Sequence, residues 1–431
     1  MGVLTSLNAA LTLPGIAGIV LTLATAVDAN VLIYERIRDE LHEGKTMRIA
    51  IADGFRMAMS SILDANSVTL LLGIILMTFG RGPIYGFAVI LVIGILTTLF
   101  CSILITRLIF DYLLEKDKPI NFGNNQFLRN IDFDFVGKRK TFYIISGITI
   151  LIGIGSLITR GLNYSVELEG GYSYVVEYDK AVTVEEIRTA LTPKLGNSTP
   201  EVKTFGSDTK LNIVTKYLAN AGSDASAKVK TAILDGTKQF GNGKIISEQR
   251  VGATIAADIK DSAWKSILFS LMAIFIYIVI RFKRWQFALG ATVALAHDIL
   301  FVLTFFSLFK DIMPFSLDID QAIIAALLTI AGYSMNDTVV VFDRIREFLN
   351  LNKSGDMAHT INDAINKTLS RTVVTSFTIF VVVLVLFLFG GQVIKGFAFA
   401  MLVGIIIGTY SSIFVATPIV VDFHGADKQL K

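Results

Sequence analysis

Apolar residues run along this chain in blocks of 18 to 26, each closed by a short polar break. A helix needs roughly 20 apolar residues to cross a hydrocarbon core of about 30 Å, and lipid leaves the helix as the default because it cannot satisfy exposed backbone groups. The pattern predicts nine spans, at about 12–34, 62–79, 84–108, 141–160, 263–281, 286–309, 318–342, 372–389 and 395–420. The breaks are "GRGP" at 80–83, "RFKRW" at 281–285, "KDIMP" at 310–314 and "GGQVIKG" at 390–396.

One long segment, 161–262, follows a different rhythm. "YSVELEGGYSYVVEYD" alternates like a strand pair broken at Gly170-Gly171. "TVEEIRTALTPKL" opens on Thr183 with Glu186 three residues later, a capping box. "EVKTFG" and "KLNIVTKYL" read as a hairpin across Ser207-Asp208, "ASAKVKTAILDGTKQF" as a helix and "KIISEQRV" as a last strand. The order βαββαβ is ferredoxin-like. A purely structural lid is the alternative to a working domain.

Composition agrees with a membrane protein. The 431 residues are 53% hydrophobic and 17% charged, against about 25% charged in soluble domains. The single cysteine, Cys101, lies in an apolar run and excludes an internal disulfide framework or a CxxC site. Charge placement orients the chain. Segments 35–61, 111–140, 281–286, 343–370 and 422–431 hold 20 Lys and Arg, while the opposite short loops hold three, Arg81, Lys310 and Lys395. The basic side is therefore expected to be cytoplasmic, with 161–262 outside and the C-terminus inside. The start, "MGVLTSLNAALTLPG", has no basic n-region. It reads as a loop, as if the chain begins partway through something larger. The expected divisions are 1–110, a cytoplasmic linker 111–140, a span at 141–160, the external domain 161–262, further spans over 263–420 and a tail from 421.

Two stretches repeat. Residues 50–88 overlay 360–398 without gaps, with Gly80 on Gly390 and Gly86 on Gly396; upstream, "IYERIRDE" falls on "VFDRIREF" with the register shifted by two. In that shifted register Asp28 pairs with Asn336 and Ala29 with Asp337. Both copies run the same way, so the repeat is parallel, and such repeats place transport sites at the interface between halves.

Polar residues stand within or at the edges of the spans: Asp28, Asp64, His297, Asp298, Asp337 and Arg371. A mid-helix Asp costs about 2.5–3.5 kcal/mol on insertion scales, so it is expected to face the bundle and work; a buried latch that only fixes packing is the alternative. Helical spacing puts Ser334, Asp337 and Val341 on one face, Ser60, Asp64 and Ser67 on another, and Arg371 over Thr375 and Thr378. Asn336 stands beside Asp337. Burial favours a neutral carboxyl and a nearby guanidinium a charged one, so such a group can load and unload a proton. His297 and Asp298 are adjacent, a spacing that points side chains apart, and packing accounts for them equally well. HExxH, GxSxG and a Walker lysine motif are missing from the sequence; no enzyme chemistry, cofactor, metal or nucleic acid is expected.

"LTLPGIAGIVLTLATAVDANVLIYERIRDEL", "ILDANSVTLLLGIILMTFGRGPIYGFAV" and "IAGYSMNDTVVVFDRIRE…LSRTVVTSFT" resemble SecD and SecF, accessory subunits of the bacterial Sec protein-translocation machinery. The first three spans are similar to the last three of SecD, and everything from about residue 121 to a whole SecF, fused as in SecDF proteins. The resemblance implies the resistance–nodulation–division superfamily, the plasma (inner) membrane, use of the proton-motive force, and the SecYEG channel, other Sec accessory proteins and unfolded preprotein as partners. It implies a proton path through Asp28, Asp337 and Arg371, with Asp64 in a less defined role. Asp298, Asn336, Thr375 and Ser334 are candidates for a wider polar path. SecD also has three earlier spans and a large external domain, a missing half that the chain is expected to meet. "VELEGGYS" keeps little of the SecF external motif beyond its double glycine. An exporter of small molecules or lipids, and a sensor whose buried charges are latches, are the competing functions. A lone external loop of about 100 residues argues against the exporter.

Overall fold

The structure is a computed structural model, which describes residues 2, 6, 12–80, 82–122, 131–219, 221, 224–351 and 356–429. Nine helices among them are long and apolar enough to cross a membrane, making this a multi-pass membrane protein. In chain order the elements are α1 (Leu13–His42), α2 (Met47–Phe79), α3 (Ile84–Glu115) and α4 (Arg139–Thr159). The sheet domain follows: β1 (Gly171–Glu177), α5 (Val184–Leu191), β2 (Glu201–Thr204), β3 (Lys210–Thr215), α6 (Ala225–Thr237) and β4 (Lys244–Val251). The chain then returns through α7 (Ala253–Phe282), α8 (Trp285–Phe309), α9 (Gln321–Leu351), α10 (Met357–Phe389) and α11 (Ile394–Phe423).

Each predicted span is present, but several helices run further. α1 has 30 residues, about 45 Å at 1.5 Å per residue, against roughly 30 Å of hydrocarbon. The extra turns, such as 35–42 in α1 and 357–371 in α10, are polar and lie towards the basic loops. Helix ends are set locally. Thr12 caps α1 by accepting from the Gly15 N–H at 3.2 Å, and the Asp356 carboxylate caps α10 through the Ala358 N–H at 3.2 Å. Lys283 takes a left-handed conformation (φ 55°) and ends α7 before α8 begins.

Two three-helix units, α1–α3 and α9–α11, face each other. Their contacts exchange under the repeat: α9 packs on α2, and α10 on α1. The third helix of each unit carries a π-turn, Phe100–Ile105 in α3 and Ser412–Ala416 in α11. Each π-turn meets the residue two places after the Asp28/Asn336 position. The Thr106 hydroxyl donates to Asn30 Oδ1 at 2.9 Å, and Thr338 and Ser412 share a hydrogen bond of 2.8 Å. α9 is the most enclosed span, its apolar window 94% buried. Gly404 and Gly408 let α11 reach it: a Cβ on either would lie under 3 Å from Ile330 or Ser334, the small-xxx-small solution to helix packing in lipid.

The sheet domain has strand order β2-β3-β1-β4, antiparallel throughout, the ferredoxin-like arrangement. α5 and α6 close over fully buried Tyr172, Tyr174, Leu211 and Ile213. The Thr183–Glu186 capping box forms. The expected first strand of "YSVELEGGYSYVVEYD" does not: Val166–Glu169 is a single helical turn capped by Ser165, and the extended chain resumes only at Gly171, after Gly170 turns at φ 78°. The stretch before that turn pairs elsewhere. Tyr164 bridges Ile319 in parallel, the Ile319 N–H donates to Asn163 O at 2.8 Å, and the Ser165 N–H to Ile319 O at 3.0 Å. Lys203 from β2 forms an ion pair with Asp318, and the Gln321 N–H donates to Glu167 at 3.2 Å. This seam joins the domain to the foot of α9. Gly82 and Gly396 lie against Gln321 and Ser316 at the same end, so the domain and the short loops share one face, opposite the basic one.

Candidate functional site

α9 threads the middle of the bundle and offers three consecutive polar contacts. Ser334 donates to Asp298 Oδ2 on α8 at 2.6 Å. Asn336 Nδ2 donates to Asp28 Oδ2 on α1 at 3.0 Å. Asp337 Oδ2 accepts from the Ser376 hydroxyl on α10 at 3.2 Å. Ser334 and Asp337, expected on a shared face with Val341, therefore address different helices: at a centre packed on all sides, a step of 300° between them is enough to change neighbours.

Asp28 and Asn336 occupy equivalent places in the repeat, so their hydrogen bond straddles the axis relating the two units. The second Asp28 oxygen and the Asn336 amide oxygen are buried without a hydrogen-bond partner among the described residues. Both residues line a cavity of about 50 Å³ between the units, together with Ser61, Asn66, Tyr333 and Arg371. That volume admits a few waters, each needing about 10–15 Å³ and two or more polar partners.

Arg371, on α10, lines this cavity and also a vestibule of about 650 Å³ that opens among the polar ends of α1, α9 and α10. Its guanidinium lies 3.7 Å from Glu35 Oε2. Asp337, buried next to Asn336, points away from the cavity into hydroxyl groups. Ser376, its donor, accepts from Thr409 at 2.6 Å and from Tyr333 at 3.0 Å. Asp337 remains within electrostatic reach of both Asp28 and Arg371. Thr375 is buried and returns its hydroxyl to the Thr372 carbonyl at 3.1 Å, while Thr378 bonds Val374 O.

Asp64 belongs to a different cluster. Arg281, at the end of α7, reaches it with Nε at 2.8 Å and also contacts Ser60 at 3.2 Å; Tyr277 donates to it at 3.3 Å. Asp343 lies 3.6 Å from the same guanidinium. In sequence Arg281 reads as part of the "RFKRW" break. In the fold it stays helical and lays its long stem along α7 to bring the charge back, as such side chains do near span ends. His297 and Asp298 correct another expectation. Their side chains meet, with Nδ1 3.1 Å from Oδ1, because Ser334 and Ser411, at 2.6 and 2.8 Å, draw the carboxylate to one side of α8. Asp298 is fully buried in this cage.

Sequence reasoning did not mark Glu35 or Arg281. Both sit where apolar runs give way to charged turns, and nothing local separates them from solvated neighbours. For Glu35 the repeat held the one signal, since it falls on Asp343.

Comparison with known proteins gives a consistent result. Residues 1–116 and 229–426 match the family described as "Protein export membrane protein SecD/SecF, C-terminal", and residues 155–182 match the "SecD/SecF GG Motif". The protein translocase subunit SecF of Rhodothermus marinus is 46% identical over 298 residues, covering 68% of this chain and 94% of that protein. The protein translocase subunit SecDF of Bacillus subtilis is 33% identical over 443 residues, covering 98% of this chain and 58% of that one. The crystal structure of SecDF from Thermus thermophilus, described as a translocon-associated membrane protein, superposes with a TM-score of 0.86 at 35% identity, over 98% of this chain and 56% of that one. The chain thus spans a little over half the length of these fused relatives and nearly all of the SecF relative.

Proposed function

The chain belongs to the SecD/SecF family of protein-export membrane proteins, and from that membership we propose that it is an accessory subunit of the Sec translocation machinery. It uses the proton-motive force to assist preprotein export across the bacterial plasma membrane. The basic face is cytoplasmic, and the sheet domain works on the far side beside the SecYEG channel. It performs no covalent chemistry on its substrate.

The observation that carries this reading is the position of α9. One helix holds Asp337 and Asn336 at the junction of the two units and is stitched at its outer foot to the sheet domain. A proton bound at Asp28 or Asp337 removes a charge within electrostatic reach of Arg371 and so changes the balance of forces across that junction. Moving one charge through the membrane potential is worth about 2.3 kcal/mol per 100 mV. A shift of α9 against α1 and α10 then has a direct route to the domain that meets the emerging chain. Asp28, Asp337 and Arg371 carry the relay, and the Asp298 cage holds α8, α9 and α11 together around it.

Asp337→Asn tests the reading. The amide keeps the volume and can still accept from Ser376, but it cannot lose a proton. Export is measured in cells, or translocation into vesicles under an imposed proton gradient, in a full-length SecDF context. The variant is expected to insert and fold normally and to lose the response to the gradient. A variant that remains fully active and gradient-responsive would leave Asp337 as a packing latch.

A further inference from the structure

Glu35 on α1 and Asp343 on α9 are equivalent in the repeat, yet their surroundings differ. Asp343 Oδ1 has two guanidinium groups near it, Arg346 at 2.9 Å and Arg281 at 3.6 Å, without a hydrogen bond to either. Among the described residues Glu35 forms an ion pair with Arg371 alone, at 3.7 Å, which is longer than a hydrogen bond. Asp343 has two cations beside it; Glu35 has one, beyond hydrogen-bond reach.

Its position gives that looseness a use. Asp28, Leu32 and Glu35 follow i, i+4, i+7 and share a face of α1, with about 10 Å of helix rise between the two carboxylates. Leu32, Ser61 and Arg371 line both the cavity between the units and the vestibule on the basic face. Asp28 lines only the first, and Glu35 only the second. Leu32, Ser61 and Arg371 therefore form the partition, with one carboxylate on each side of it.

We propose that Glu35 is a proton-relay residue on the vestibule side of this partition, taking up the proton that leaves the Asp28 carboxyl and passing it to vestibule water. When Arg371 moves off the partition, the Asp28 O–H breaks, the proton crosses through water, and an O–H forms on Glu35. Its loss to the vestibule restores the carboxylate, and Arg371 returns to it. No other bond changes. The remaining charged or titratable groups that face the site are Arg36, Arg38, Asp39, Glu40, His42 and Glu43 on α1, Asp343, Arg344 and Glu347 on α9, and Lys367 on α10. Their mixed signs let a proton pass without a large field of either sign. The inference rests on the proton-relay reading of Asp28, Asp337 and Arg371.

The test reconstitutes the whole chain in lipid vesicles, imposes a membrane potential with a potassium ionophore, and follows proton uptake with an internal pH dye. Four proteins are compared: wild type, Asp337→Asn, Glu35→Gln and Glu35→Asp. Glu35→Gln is expected to lower the flux at least about tenfold, while Glu35→Asp, which keeps a titratable group, stays within about threefold of wild type. Infrared difference spectra of the unmodified chain across pH supply a second readout. A relay residue shows a protonated-carboxyl stretch that Glu35→Gln removes and Glu35→Asp shifts; a fixed counter-ion to Arg371 stays ionised and shows none. Flux abolished by Asp337→Asn but untouched by Glu35→Gln overturns the role of Glu35 alone. Loss of flux in both Glu35 variants without that stretch also overturns it, in favour of a structural ion pair. Wild-type flux no greater than that of Asp337→Asn overturns the relay reading and the inference together.

Discussion

Asp320 stands one residue before α9, at the seam with the sheet domain, and serves two masters. Its Oδ1 caps the helix by accepting from the Ile323 N–H at 2.8 Å. Burial and the facing charge of Glu167 push its carboxyl up to about 7. An unfolded Asp titrates near 3.9, so the folded state holds this proton to higher pH. The stability it contributes is present below about pH 4 and fades as pH rises through about 7. Asp320→Asn keeps a carbonyl for the cap and removes the repulsion from Glu167. Its melting temperature is expected to match wild type below about pH 4 and to exceed it by a few degrees above about pH 7, in the direction linkage requires. A constant offset between the two proteins across that range would mean that Glu167 and Asp320 do not repel. The contrast with Lys203 is instructive. Burial disfavours its ammonium, but Asp318 and Glu201 outweigh that and raise its pKa, so the same seam holds one charge firmly and another conditionally.

At the scale of elements, the segment after residue 130 is fastened by two asparagines one turn apart on α10. Asn362 Oδ1 accepts from the Phe135 N–H at 2.8 Å, Asn366 Oδ1 accepts from the Phe133 N–H at 3.1 Å, and both amides donate to Phe133 O. Asn362→Ala removes the acceptor shared by the Phe135 and Val136 N–H groups in a buried site, at a cost of about 1–3 kcal/mol. Hydrogen exchange over 133–137 is expected to speed up correspondingly, with the sheet domain unaffected; unchanged protection there would show that water replaces the amide. These two residues lie within "TINDAINKTLS", which marks the repeat in sequence, but their role does not follow from it, because Ala52 and Arg56 fill the same places in the other copy. The span centres were legible because the cost of a charge in lipid is written into composition. The helix ends were not, since polar turns beyond the hydrocarbon, such as 35–42, look alike whether helical or looped. Strand order followed from βαββαβ, whereas Val166–Glu169 alternated like a strand and was claimed by Ser165 as a cap. Asp28 and Asp337 stood out as carboxylates in apolar runs. Their different partners, Asn336 and Ser376, depend on which helices come to lie beside α9, and no local signal carries that.

For the molecule as a whole, the informative feature is the bond between Asp28 and Asn336 across the axis. Asn336→Asp alone sets two carboxylates against each other and is expected to destabilise the protein. Adding Asp28→Asn restores one donor facing one acceptor, and the pair should show a coupling energy of about 0.5–3 kcal/mol in a double-mutant cycle read by thermal melting in detergent. Additive effects would mean that the bond is incidental to assembly. The double variant also moves the charge next to Asp337, so proton-driven translocation should stay low even where stability returns. A gene that duplicates begins with two identical halves, and at an axis identical residues must face their own copies. Two aspartates repel there, and two asparagines bring no proton. A donor–acceptor pair at the axis requires the two copies to differ, as Asn336 and Asp28 do. Ser61 and Arg371, at matching places in the second helix of each unit, show the same division of labour. Two copies of either half would not rebuild this centre, because each half lacks the partner that the other supplies.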